Sequence, residues 1–123
     1  MQTNPRSYKD LLVWQKGIEL AKIIYRQTSS YPTEERFGLI VQMRRAAVSI
    51  ASNLAEGQAR HTTGEFIQSI SHAEGSVAEL DTQLILSVEL GFCPEANAEP
   101  GFLLITELRK MLNVLRRKLA LRK

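Results

Sequence analysis

A chain of 123 residues has room for one domain, and sixteen Lys and Arg against thirteen Asp and Glu leave a formal charge of only +3. Ordinary hydrophobic and charged fractions (44% and 24%) argue against wholesale disorder, and a lone Cys93 excludes an intramolecular disulfide and cannot by itself build a zinc site. No run approaches about 18 uninterrupted apolar residues and the opening residues lack the apolar core of a signal peptide, so the expectation is a cytoplasmic protein that does not enter membranes.

Glycine and proline divide the chain into four periodic segments, and no stretch alternates with period two. The first predicted helix spans 8–28, with Leu11, Trp14, Ile18, Ala21 and Tyr25 recurring at spacings of three and four. The second spans 33–56, with Thr33 as a candidate N-cap, Glu34 and Glu35 in the first turn and Gly57 as the stop. The third, 63–90, opens on Thr62-Thr63-Gly64-Glu65, the form of a capping box, and stops at Gly91. The fourth, 100–121, starts near Pro100 and carries Leu104, Leu108, Met111, Leu115 and Leu119. Short loops between long helices predict an all-α, antiparallel up-down-up-down four-helix bundle.

The helices are apolar over more than one face. Leu12, Val13, Leu20 and Ile23 form a second strip on the first helix, the second is apolar over about half its circumference, and Leu103, Val114 and Leu121 lie off the main stripe of the fourth. Surplus apolar faces point to subunit contacts, the alternative being deeper burial within one chain.

Charges interrupt these faces. Arg44 projects into the apolar half of the second helix, while Glu74 and Asp81 break the apolar face of the third. A buried charge needs a partner. A hairpin centred near residue 59 or 60 puts Arg44 level with Glu74, which predicts an Arg44–Glu74 pair and leaves Asp81 to find another donor, across a subunit boundary if need be. Gln42, Arg45, Ser49, Asn53 and Glu56 form a polar line on the second helix, which spacing alone reads as a solvated face. Gly75 inside the third helix predicts a close crossing against Ala47, Ala51 and Ala55.

Signals of catalysis are sparse. His61 and His72 lack metal-ligand spacing, Cys93 has no neighbouring histidine in sequence, and neither a phosphate-cradling glycine loop nor a paired Glu-x-x-His motif occurs. No enzymatic activity, metal or cofactor is expected. The charge distribution says more. Residues 1–61 carry a net +4, residues 62–100 seven acidic and no Lys or Arg side chains, and residues 101–123 a net +6. Arg109, Lys110, Arg116 and Arg117 share one side of the fourth helix, and Lys118, Arg122 and Lys123 extend the charge. Such a stripe can neutralise phosphates, or it can solubilise the helix, complement its dipole or dock on the acidic third helix of another subunit. No aromatic residue interleaves with the basic ones, so base stacking on this helix is not expected.

Tyr8-Lys9-Asp10-Leu11-Leu12-Val13-Trp14-Gln15-Lys16 and, above all, Gln42-Met43-Arg44-Arg45-Ala46-Ala47-Val48-Ser49-Ile50-Ala51-Ser52-Asn53-Leu54-Ala55-Glu56-Gly57 resemble the "four helix bundle protein" family, also called 23S rRNA intervening-sequence proteins, with its hallmark Q-L-R-R-A-A-V-S-I-P-S-N-I-A-E-G. Gly75-Ser76 with Glu79 and Leu80 resembles its third-helix G-S-x-x-E-L motif; Ala51 departs from the common proline, and Gly17 from the usual alanine. The resemblance implies a bacterial, non-enzymatic homopentamer in a ring. It is also similar to the accessory protein of diversity-generating retroelements, which implies nucleic acid and a reverse transcriptase as partners. It further implies that Arg45, Ser49, Asn53 and Glu56 are a structural or interface network rather than a solvated face.

Overall fold

The computed structural model describes residues 7–122; Lys123 lies outside the described residues. They form four α-helices, α1 (Leu12–Thr28), α2 (Leu39–Gln58), α3 (Thr63–Glu89) and α4 (Glu95–Ala120), with short 3-10 turns at Tyr8–Asp10 and Thr33–Glu35 and, among the described residues, no strand. α2 packs against α1 and α3, and α4 against α3 and α1. The enclosed core is built on Leu20, Ile24, Met43, Ile50, Leu54, Ile70, Leu80, Leu84, Leu108 and Leu112, and among the described residues no helix is long and apolar enough to cross a membrane.

The caps follow the residues. Thr62 Oγ1 accepts from the Glu65 backbone N–H (3.1 Å) and donates to the Glu65 carboxylate (2.9 Å), fixing the start of α3. Gly91 (φ 79°) ends it: Phe92 N–H reaches Ser87 O and Gly91 N–H reaches Val88 O, the paired bonds of a Schellman motif. The second helix starts later than predicted. The turn at Thr33–Glu35 is broken from α2 at Gly38, and Glu35 rather than Thr33 supplies a side-chain acceptor, to Leu39 N–H at 3.3 Å. α4 starts earlier, at Glu95, with Pro94 as its N-cap and Pro100 inside the helix.

Three further expectations need correction. In α1 the buried residues are Val13, Gly17, Leu20, Ile24 and Thr28, whereas Ile18 and Tyr25 of the predicted stripe are open to solvent. The close approaches are made by other glycines: Gly57 sits where an added Cβ would lie 2.4 Å from Ser69 Cβ, and Gly17 faces Ala51 of α2. Gly75 points outward with nothing within 4 Å. Finally, Arg44 does not pair with Glu74. It lies on the α1 side of α2, donating from Nε to Thr28 Oγ1 (2.9 Å) and from Nη2 to Tyr25 O (3.2 Å), with its guanidinium 4.6 Å from the Tyr25 ring centroid. The last carbonyls of a helix lack partners and carry its negative dipole end, so α1 offers Arg44 an acceptor set that a carboxylate on α3 does not displace.

Candidate nucleic-acid interface

α4 carries its basic residues because its other faces are spent on packing: Leu104, Ile105, Leu108, Leu112 and Leu119 are buried, and the polar residues take what remains of the helix. The predicted stripe then divides in two. Arg116 Nε bonds Glu74 Oε1 at 3.1 Å while its Nη2 donates to Asn113 Oδ1, and Arg109 Nη2 meets Asp81 Oδ2 at 3.3 Å. Both acids thus find donors on α4 of the same chain, and the donor sought for Asp81 need not come from another subunit. These pairs are partly solvated and each contributes at most about 1 kcal/mol.

Lys110, Arg117, Lys118 and Arg122 are exposed. None has an ion pair or side-chain hydrogen bond with a described residue. Lys110 and Lys118 flank an apolar groove of about 370 Å³ between α1 and α4, floored by Leu12, Met111, Val114 and Leu115. Lys16 reaches across the same pair of helices to Glu107 (3.4 Å).

The polar line of α2 also divides. Asn53 Nδ2 donates to the Ser49 carbonyl and hydroxyl, and Ser76 Oγ bonds Ser49 Oγ at 3.0 Å, joining the two hallmark motifs across the α2–α3 contact. Arg45 and Gln42 face solvent, and Glu56 makes an exposed ion pair with Arg60 at 3.7 Å. Asn53, Glu56 and Arg60 line a polar cleft of about 350 Å³ with Glu65, Gln68, Ser69 and His72, but His72 has no hydrogen-bond or ionic partner among the described residues. Among the described residues, no three His, Cys, Asp or Glu side chains stand together to hold a metal ion. Cys93 is buried, its Sγ 3.4 Å from Pro94 O, and burial pushes its thiol pKa up, away from nucleophilic thiolate.

The sequence model of the family described as 23S rRNA-intervening sequence protein matches residues 9–114. The chain belongs to that family. The match takes in both helix motifs that meet at Ser49 and Ser76, and it ends at Val114, before Arg116, Arg117, Lys118 and Arg122. Among solved structures, this member of the family is similar to a Bacteroides thetaiotaomicron VPI-5482 protein of unknown function from the S23 ribosomal protein family. That likeness has a TM-score of 0.78 and 22% identity, covering 85% of this chain and 98% of the other, and it concerns the fold alone. Comparison with curated proteins gives no match.

What sequence reading missed is the partition of the basic stripe. A helical wheel places Arg109 and Arg116 beside Lys110 and Arg117, and the signal that separates them lies in the acids of α3. Asp81 and Glu74 are seven residues apart, as are Arg109 and Arg116, so two turns of each helix bring both pairs into register.

Proposed function

We propose that this family member is a non-enzymatic nucleic-acid-binding protein whose interface is the exposed cationic surface of α4. The observation that carries the reading is the set Lys110, Arg117 and Lys118 on α4 with Arg122 in the turn just after it, four cations without acidic partners among the described residues. Arg109 and Arg116 shape the surface but hold their own carboxylates, so they are support rather than contacts. Binding of this kind is sequence-independent and salt-sensitive. Four phosphate contacts on a single strand predict a slope of roughly −3 in log affinity against log salt.

The helices fit an antiparallel up-down-up-down arrangement, because residue numbers rise on one helix as they fall on its neighbour: Met43 meets Ser87 and Ser49 meets Ser76; Glu74 meets Arg116 and Asp81 meets Arg109. The working unit in this reading is a ring-like homo-oligomer, a homopentamer, supported by open Ile18, Tyr25, Val41 and Val48 on α1 and α2. A ring repeats the cationic surface once per subunit.

Fluorescence anisotropy with a labelled oligonucleotide at two salt concentrations tests the proposal. Reversal of Lys110, Arg117, Lys118 and Arg122 to Glu abolishes binding while leaving the oligomer intact; unchanged affinity overturns it. A second reading, a scaffold that gathers a protein such as a reverse transcriptase without touching nucleic acid, draws on the apolar groove between α1 and α4. Partner retention in a pull-down after nuclease treatment favours that reading.

A further inference from the structure

At the end of the bundle where the α2–α3 turn meets the last turns of α4, a cavity of about 430 Å³ opens between elements distant in sequence. Four basic side chains line it: Arg60 and His61 from the α2–α3 turn, Lys118 from α4 and Arg122 from the turn that follows α4. Arg60 shares its charge with Glu56, but His61, Lys118 and Arg122 have no partner among the described residues, nor does the Thr63 hydroxyl on the same wall. The floor is different in kind. Phe66, the first aromatic side chain of α3, lies there partly buried beside Leu115 and Leu119.

Cationic donors and a hydroxyl over an apolar, partly aromatic floor match the two halves of a nucleotide. Phosphate oxygens need the former and a base face needs the latter. The volume falls in the usual range of small-ligand sites, about 300–1,000 Å³. A duplex cannot supply the base half, since its bases are stacked on each other, whereas a single strand can splay one out. We propose that this cavity receives one unstacked nucleotide of a single-stranded nucleic acid, its phosphate held by Lys118, Arg122 and His61 and its base laid on Phe66 and Leu115. The proposal rests on the nucleic-acid reading of α4 and deepens it. It also supplies an aromatic surface beside the basic residues, where α4 has none: α3 delivers it across the fold.

The test uses the full chain, a fluorescein-labelled ten-nucleotide oligouridylate and a labelled duplex RNA of the same length, with melting temperature and oligomeric mass measured for every variant. The single strand binds more tightly than the duplex. Phe66→Leu, which keeps an apolar side chain on the floor, lowers single-strand affinity about fivefold or more and leaves duplex affinity unchanged. The exposed pair Lys118→Gln with Arg122→Gln flattens the salt slope by roughly 1.4. Equal affinity for single strand and duplex overturns the pocket, as does a Phe66→Leu protein of normal melting temperature and affinity. Should Lys118→Gln with Arg122→Gln bind as wild type while Lys110→Gln with Arg117→Gln does not, the pocket is overturned and the α4 reading stands. No binding of either probe by the wild-type protein overturns both.

Discussion

At the scale of single residues, the glycines separate by what surrounds them. Gly75 is exposed in the interior of α3 with open space where a side chain would go, so Gly75→Ala raises stability by about 0.5–1 kcal/mol through the helix propensity gained. Gly57→Ala does the opposite: its Cβ collides with the Cβ and Oγ of Ser69 and crowds Phe66, and the strain costs about 1–3 kcal/mol. Chemical denaturation of the two variants checks both signs. The sequence shows two glycines of equal conformational freedom. What differs is rotation: Gly75 faces away from α2 and Gly57 faces Ser69, and an angle about a helix axis relative to a neighbour is set by packing, not by spacing along one chain.

At the scale of helices, α3 acts as an electrostatic partner that occupies part of α4. Glu74 and Asp81 hold Arg116 and Arg109, and neutralising them leaves two more cations available to phosphates. Glu74→Gln with Asp81→Asn therefore tightens single-strand binding at low salt and steepens its log–log salt slope by roughly 1.4, read by anisotropy over a salt series. The stability cost is small because both pairs are partly solvated. Helix number, the capping box at Thr62 and the stop at Gly91 were legible in the sequence because each is a local rule satisfied within a few residues. The partner of Arg44 was not. The hairpin estimate placed it near Glu74 by counting from the loop, but the guanidinium turns toward the C-terminal end of α1, where a hydroxyl, Thr28 Oγ1, and a backbone carbonyl, Tyr25 O, accept its bonds without any opposite charge to mark the partner in sequence. Likewise the basic stripe was legible as a stripe, and its division into paired and unpaired halves required the register of α3 against α4.

For the whole molecule, the apolar residues left outside the core set the expectation for assembly. Ile18, Tyr25, Val41 and Val48 lie open across α1 and α2, and Phe37 and Leu121 are 83% and 87% exposed. The proposed ring predicts that light scattering on the wild-type protein will give a mass near five subunits and that Ile18→Glu with Val48→Glu will lower it toward one; a monomeric wild type removes the ring. Stability has its own pH signature. Burial raises the pKa values of both Cys93 and Tyr31, each neutral when protonated. The native state therefore holds protons that the unfolded chain releases once pH passes the ordinary thiol value of about 8.5. Melting temperature is level with respect to these groups below that point and falls as pH climbs through their raised values. Cys93→Ala removes the thiol part of the fall.

Pro100 gives α4 two regimes of opening. With no N–H at that position the Ala96 carbonyl has no intrahelical donor four residues on, so the segment Glu95–Glu99 is tied to the rest of α4 by one bond fewer. Its anchor is tertiary: Ala98 is fully buried, while Gly101, just past the proline, lies close against Leu84 of α3. Amide hydrogen exchange should show the first turn of α4 exchanging by local opening, while amides from Leu104 onward exchange only with the core.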